Sequence, residues 1–265
     1  MRHAARKRFG QNFLVDRGFV ARIVDAIDPK PADEMAEIGP GLGALTEPLL
    51  ERLARLHVIE LDRDLAARLR ERYAPERLVV HEADALRFDF AALPAPLRVV
   101  GNLPYNISTP LLFHLAGFAE RFVDLHFMLQ REVVERMVAA PSTSAYGRLS
   151  VMLQYRFRMR RLFVVPPGAF RPAPKVESAV VRLEPLARPA AAARDERLFA
   201  ETVTRAFSHR RKTLRNALEG HADEADLRAA GVNPGLRAEN LSVAQFVAIS
   251  NRLAGGAEPL PAPDC

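Results

Sequence analysis

Between residues 34 and 130, short apolar runs alternate with longer stretches of helical spacing, and this alternation limits the possible folds more than any other feature. Stretches such as 63–72 and 108–118 carry apolar residues at helical spacing. The apolar runs before, between and after them predict strands at 34–39, 56–60, 78–83, 97–102 and 125–130. Repeated β-α-β units of this kind predict a mainly parallel sheet covered by helices on both faces.

Two features extend this α/β region at its ends. Asp16 is a suitable N-cap for a helix over residues 16–28, where apolar residues recur at helical spacing. Residues 160–170 and 175–185 read as two further strands. Because they lie so close in sequence, we expect them to form an antiparallel pair at the edge of the sheet.

The pattern changes after a Pro- and Ala-rich stretch at residues 184–196, which is typical of a linker or a helix lead-in. The segments beyond it are helical in pattern, at 195–208, 210–219, 223–230 and 242–253. We therefore predict an α/β domain over residues 1–184 and a small all-α domain over residues 185–265. The tail from about residue 254 is expected to be disordered.

Composition excludes several classes of protein. Of the 265 residues, 49% are hydrophobic, which is enough for a sizeable core. No run approaches the roughly 18 apolar residues of a membrane span, and the N-terminus lacks the apolar segment of a secretory signal, so we expect a cytoplasmic protein. The one cysteine, Cys265, excludes a disulfide framework, and the seven scattered histidines argue against a zinc site, so no metal is expected.

A glycine-rich loop follows the first predicted strand of the sheet, in "EIGPGLGALTEPLL" (37–50). Gly39 and Gly41 let the backbone approach a ligand, and Gly43 lets the next helix begin close to the strand. Dinucleotide sites use G-x-G-x-x-G, but here the third glycine comes one residue early and Glu37 precedes the set. This spacing suits a ligand that has no pyrophosphate and carries an ammonium group.

Carboxylates stand at the ends of the next two strands. Glu60 can accept hydrogen bonds from ribose hydroxyls, and Asp84 can accept one from the exocyclic amine of an adenine. Because parallel strands end at the same edge of a sheet, these groups and the glycine loop should share one crevice. The implied ligand is an adenosine derivative without phosphates, and S-adenosylmethionine fits this description best.

Segments along nearly the whole chain resemble those of one family. They are "KRFGQNFLVD" (7–16), "EIGPGLGALT" (37–46), "VVGNLPYNIS" (99–108), "FRPAPKVESAVV" (170–181) and "HRRKTLRNAL" (209–218). The chain resembles the small-subunit ribosomal RNA adenine N6,N6-dimethyltransferases, which are class I S-adenosylmethionine-dependent methyltransferases.

This resemblance implies a Rossmann-like α/β fold with a mainly parallel seven-stranded sheet. The implied activity is methyl transfer to N6 of two adjacent adenosines near the 3′ end of small-subunit rRNA, within an assembling ribosomal particle, by a monomer. It also implies that residues 9–14 fold over the cofactor, with Asn12 and Leu14 at its methionine end. Phe170 would close one face of the target base.

The residues of "GNLPYNIST" (101–109) suit that chemistry. Adenine N6 is a poor nucleophile because its lone pair is delocalised into the ring. Asn102, which also borders the cofactor, and a backbone carbonyl near Leu103 can accept its two hydrogens. Pro104 stiffens the turn, and Tyr105 can stack on the unstacked base, a contact worth roughly 1–3 kcal/mol. The alternative is an ordinary proline turn with Tyr105 as a core aromatic.

A formal charge of +6 favours a polyanionic partner, although an evenly spread arginine-rich surface would give the same total. Two basic clusters suit phosphate contacts. The first, at the N-terminus, consists of Arg2, Arg6, Lys7 and Arg8, and the second consists of Arg205, His209, Arg210, Arg211, Lys212 and Arg215. For the second cluster, the alternative is a helix face that is simply exposed to solvent.

Two other functions remain open at this point. A large-subunit rRNA adenine dimethyltransferase of the macrolide-resistance type would have the same site and a different RNA. A ribosome-assembly or transcription factor of the same fold would bind without catalysis.

Overall fold

The computed structural model describes residues 12–187, 191–209 and 211–255. The predicted basic cluster at the N-terminus, Arg210 and the tail from residue 256 lie outside these residues. Among the described helices, none is long and apolar enough to cross a membrane.

The elements in chain order are β1 (Phe13–Leu14), α1 (Arg17–Ile27), β2 (Glu34–Ile38), α2 (Thr46–Arg52), β3 (Leu56–Glu60), α3 (Arg63–Arg72), β4 (Leu78–Glu82), β5 (Leu97–Asn102), α4 (Ser108–Ala116), β6 (Phe122–Gln130), α5 (Arg131–Met137), α6 (Arg148–Gln154), β7 (Phe157–Val165), β8 (Phe170–Arg171), β9 (Ser178–Pro185), α7 (Glu196–Ser208), α8 (Leu214–Ala217), α9 (Glu224–Ala229) and α10 (Val243–Leu253).

A seven-stranded sheet in the order β4-β3-β2-β5-β6-β9-β7 forms the first of two compact units. Strands β2 to β6 run parallel to one another, whereas β9 runs antiparallel to both β6 and β7. The predicted parallel sheet, its seven strands and its antiparallel edge pair are therefore confirmed. The chain moves outward from β2 to β4 and then returns to place β5 on the other side of β2, so the strand order reverses between β2 and β5. Open α/β sheets bind ligands at such a point.

Burial and capping explain the local structure of this unit. All five residues of β3 are buried, as expected for an inner parallel strand covered on both faces. Helix α1 begins where the Asp16 side chain accepts from the backbone N–H groups of Gly18 and Phe19, and its apolar side, including Ile23, is buried. It ends at Asp28, which adopts the left-handed conformation with φ of 49°.

The second unit comprises residues 136–156 and the described residues from 186 onward. The prediction had placed residues 136–156 in the first domain. Their apolar side chains, among them Tyr146 and Tyr155, share a buried cluster with Phe199 and Phe246 of the C-terminal helices. The Tyr146 hydroxyl also donates to the Leu241 carbonyl at 2.9 Å. Packing thus joins this inserted segment to the helical unit, and only tertiary contacts reveal it.

Candidate active site

A cavity of about 370 Å³ opens at the carboxyl ends of β2, β3, β4 and β5, within the volume range of small-molecule sites. Every predicted site residue except Phe170 lines it, namely Asn12, Leu14, Glu37, Gly39, Gly41, Glu60, Asp84, Asn102, Leu103, Pro104 and Tyr105. The turn after β5 and the glycine loop after β2 therefore face one space. Within the part of the chain that the structure describes, no group of His, Cys, Asp or Glu side chains is arranged to hold a metal ion.

The glycine loop leaves room for a ligand at its first position. Gly39 and Gly41 have φ of 66° and 58°, in the left-handed region that side chains disfavour. A Cβ built on Gly39 would have no heavy atom within 4 Å, so it would enter the open cavity. A Cβ on Gly41 would lie 3.1 Å from the ring of Phe13. The backbone can thus approach a ligand at Gly39, while Gly41 gives room to the β1 segment.

Glu60 fastens this loop to the end of β3. Its carboxylate accepts from the Gly41 N–H at 3.1 Å and from the Asp62 N–H at 2.9 Å, and the side chain is buried. Burial raises the pKa of Glu60, and the two backbone donors oppose that shift. Each carboxylate oxygen has a second lone pair, so Glu60 can still accept from the hydroxyls of a ribose.

Glu37 is the most buried acid of the site, with 2% of its surface exposed. Burial raises its pKa to about 8, while the hydrogen bond from the Thr46 hydroxyl at 2.6 Å lowers it and the nearby Glu60 raises it further. The site therefore holds two acids whose ionised forms are costly without a compensating positive charge. Thr46, at the start of α2, was not predicted as a site residue, because a threonine opening a helix has no distinctive pattern.

Asp84 lies in the turn after β4, and its Oδ1 accepts from the Leu86 N–H at 2.9 Å. This hydrogen bond fixes the Asp84 side chain, and the other carboxylate oxygen, Oδ2, can still accept from an amine. Asp84 is half-buried and lines the cavity.

The amide of Asn102 is oriented by a backbone carbonyl. Its Nδ2 donates to the Asn12 carbonyl oxygen at 2.9 Å, and the reversed amide would place two acceptors against each other. The Asn102 oxygen is thus left to accept from another group. The Pro104 carbonyl already accepts from the Ile107 N–H and the Ser108 hydroxyl, so it is less available to a ligand than the neighbouring carbonyl of Leu103, the predicted backbone acceptor.

Tyr105 forms part of the cavity wall and is half-buried, so it is not a fully enclosed core aromatic. Its hydroxyl lies 2.6 Å from the Ser178 Oγ at the start of β9. Burial raises the pKa of the Tyr105 phenol, and this hydrogen bond opposes the shift. Nothing in the sequence pattern predicted the involvement of Ser178.

Phe170 is placed differently from the prediction. It is fully buried in the apolar core and does not line the cavity. The reason is that β8 pairs with β1, Leu14 opposite Phe170, which draws this segment into the core. Leu14 lies in the same core cluster and still lines the cavity, so the contact of Phe170 with the base stays a prediction.

The basic cluster of the second unit is only partly neutralised. Arg205 pairs with Glu201 at 2.8 Å and Arg215 with Glu224 at 3.0 Å. Arg211 and Lys212 are exposed, and neither forms an ion pair with a described residue. The cluster therefore carries positive charge that can meet an anionic partner.

Comparison with known proteins identifies the family. The model of the family described as ribosomal RNA adenine dimethylase matches residues 2–255. The chain belongs to this family. Similar proteins named ribosomal RNA small subunit methyltransferase A occur in Aromatoleum aromaticum, at 66% identity over 95% of both chains. Another, in Nitrosospira multiformis, is 61% identical over 95% of this chain and 97% of that protein.

Two solved structures share the fold and most of its length. A dimethyladenosine transferase from Plasmodium falciparum is 25% identical with a TM-score of 0.77, covering 89% of this chain and 95% of the other. The 23S rRNA methyltransferase ErmE is 29% identical with a TM-score of 0.69, covering 92% of this chain and all of the other. The Rossmann-like methyltransferase fold expected from the sequence is therefore confirmed.

Proposed function

We propose that this protein is an S-adenosylmethionine-dependent methyltransferase that forms N6,N6-dimethyladenosine at two adjacent positions near the 3′ end of small-subunit rRNA. The observation that carries this proposal is the joint cavity of the glycine loop and the Asn102–Tyr105 turn. The same cavity is lined by the glycine loop, by hydrogen-bond acceptors and by the Tyr105 ring, which supports a site for a cofactor beside an adenine. The relatives named small subunit methyltransferase support the same reading.

The cavity suits S-adenosylmethionine in charge and in shape. Glu37 and Glu60 are buried acids with raised pKa values, so an ammonium or sulfonium group would offset their desolvation. Open space beside Gly39 admits the methionine part, Glu60 can hold the ribose, and Asp84 can accept from the adenine amine. When bound, this cofactor supplies an electrophilic methyl group on a positively charged sulfur.

The residues of the Asn102–Tyr105 turn position the target adenine for attack on the methyl group. The Asn102 oxygen and the Leu103 carbonyl accept from the two hydrogens of N6, which favours the pyramidal form whose lone pair is available for attack. Pro104 and the bonds to its carbonyl hold these acceptors in one turn. Tyr105 holds the plane of the base. No strong general base is required, because the amine loses its proton after attack, and orientation of this kind reaches effective molarities on the order of 10⁵–10⁸ M.

The RNA partner follows from charge. Arg211 and Lys212 are proposed to contact phosphates, since neither forms an ion pair with a described residue. We further propose that the protein acts as a monomer on an assembling small ribosomal particle in the cytoplasm.

Mass spectrometry of both rRNAs tests the proposal against its two rivals. A strain lacking this gene should lose dimethyladenosine from the small-subunit rRNA, and the restored gene should return it. Loss from the large-subunit rRNA would instead favour the activity that the ErmE name describes. No loss from either rRNA would favour a binding factor that does not catalyse methyl transfer.

A further inference from the structure

Ser178 connects β9, the strand next to the edge strand β7, to the wall of the cavity. It is the first residue of β9 and is fully buried. Its backbone is held on both sides, opposite Gln130 of β6 and Val165 of β7. From this fixed position its Oγ lies 2.6 Å from the hydroxyl of Tyr105.

The Tyr105 ring is thus held at both ends. Its backbone end belongs to the turn in which the Pro104 carbonyl accepts from the Ser108 hydroxyl at 3.0 Å. Its hydroxyl end bonds to Ser178, which is its hydrogen-bond partner among the described residues. The half-buried ring between these points forms cavity wall, so its tilt sets the plane available to a stacked base.

Ordinary core packing does not account for this contact. A phenylalanine would supply the same apolar ring without placing a polar oxygen at a half-buried position, and an alanine at position 178 would need no partner. The hydroxyl pair costs desolvation on both sides, and its specific effect is to fix where the ring points.

We propose that Ser178 is a positioning residue for methyl transfer, acting by holding the Tyr105 ring in the orientation that stacks the target adenine. This inference rests on the proposed function and extends it to a residue outside the cavity lining. Loss of one neutral hydrogen bond should lower the rate about three- to tenfold, because the stacked base would no longer be held in line for attack.

The test compares the parent protein with Tyr105→Phe, Ser178→Ala and the double variant. Single-turnover methylation is measured on small ribosomal subunits from a strain lacking the gene, at saturating and limiting RNA. We expect each single variant to be about three- to tenfold slower at saturating RNA, with unchanged affinity for S-adenosylmethionine. The double variant should be no slower than either single variant, since both remove one bond.

Ser150→Ala is the matched control, because Ser150 is also a buried serine whose Oγ donates to a backbone carbonyl, that of Arg136 in the helical unit. It should lower the melting temperature without slowing methylation at temperatures well below melting. A Tyr105→Phe protein with the parent rate would overturn the proposal. So would additive losses in the double variant.

A second measurement does not depend on the substrate. The chain has four tyrosines, so NMR of ring-labelled tyrosine resolves Tyr105, with Tyr105→Phe giving the assignment. We expect Ser178→Ala to shift the Tyr105 ring signals and to speed ring flipping. Unchanged signals would show that the hydrogen bond from Ser178 does not fix the orientation of the Tyr105 ring. A parent protein that does not methylate small subunits would instead refute the proposed function, so the two failures are distinguishable.

Discussion

At the scale of single residues, three groups leave space, charge or an acceptor available to a ligand. Gly39 has a positive φ and borders open space, and Glu37 is a buried acid with a raised pKa. The side-chain amide of Asn102 already donates through its Nδ2 to the Asn12 carbonyl, which leaves its oxygen to accept from a ligand. Each of these residues yields a prediction that separates a binding or catalytic role from a structural one.

Gly39→Ala should fold and lose cofactor affinity. The added methyl group enters the cavity, so we expect S-adenosylmethionine affinity to fall at least tenfold by calorimetry, while left-handed strain costs about 1–2 kcal/mol of stability. Gly220→Ala is the matched control, because Gly220 has φ of 73° and equally open surroundings in the helical unit. It should show similar destabilisation with unchanged affinity. Equal affinities for the two variants would contradict the placement of the ligand at Gly39.

Glu37→Gln should change how stability depends on pH. The folded protein keeps the Glu37 proton up to about pH 8, whereas the unfolded chain loses it near pH 4.5. The stabilisation from Glu37 is therefore fully present below about pH 4.5 and is lost as pH rises to about 8. Urea unfolding of the cofactor-free protein between pH 5 and 8 should show a steeper decline for the parent than for the variant. Parallel curves would show that Glu37 is not protonated in the fold.

Asn102→Ala should remove an acceptor needed while charge develops on N6. A preorganised polar contact of this kind is worth roughly 10²–10³ in rate, so single-turnover methylation should fall by about that factor. The protein should remain folded, and RNA should still bind, because the proposed phosphate contacts lie in the helical unit. A near-normal rate in a folded variant would support an ordinary proline turn in place of the proposed catalytic one.

At the scale of elements, the far end of the sheet is held by Arg98 in β5. Its guanidinium donates to Asp124 of β6 at 2.8 Å, to Asp33 before β2 at 2.7 Å, and to the Ile27 carbonyl at the end of α1 at 2.6 Å. One half-buried side chain thus connects two strands and a helix at the end of the sheet opposite the cavity.

Arg98→Ala should therefore be strongly destabilising. Removing one partner of a buried ion pair typically costs 3–5 kcal/mol, and Asp124, itself buried, would keep the Arg182 contact at 3.0 Å. Arg52→Ala is the control, because Arg52 and its partner Asp25 are exposed, and such surface pairs are worth about 0–1 kcal/mol. Urea unfolding of both variants measures the difference. A loss below about 1 kcal/mol for Arg98→Ala would show that this network does not stabilise the sheet.

At the scale of the whole molecule, the chain is divided between a catalytic α/β unit and a helical unit with a basic cluster. The cavity belongs to the first unit and the exposed Arg211 and Lys212 to the second. The proposed methyl transfer and the proposed phosphate contacts thus involve different parts of the chain, and variants can separate them.

Replacing Arg211 and Lys212 together by glutamine should weaken RNA binding and lower its dependence on salt. If both contact phosphates, the slope of log affinity against log salt should fall by about 1–2. Arg205→Gln with Arg215→Gln is the matched pair, and it should change the slope less because both arginines are already in ion pairs. Equal slopes for the two double variants would support a solvated helix face.

The sequence by itself determined the parallel sheet, the glycine loop and the turn at Asn102–Tyr105. These features depend on periodicity and on residue types at fixed short spacing, which physical chemistry constrains locally. Parallel strand ends share one edge, so the meeting of Glu37, Glu60 and Asp84 in one cavity could also be predicted.

The tertiary structure alone decided the remaining contacts, because they join residues far apart in the chain. Tyr105 and Ser178 are 73 positions apart, and Asn12 and Asn102 are 90. Phe170 became core when β8 paired with β1, and residues 136–156 joined the helical unit through shared apolar burial. Such outcomes depend on which surfaces meet in the folded chain, since burial and side-chain hydrogen bonding are properties of packed neighbours and carry no sequence period.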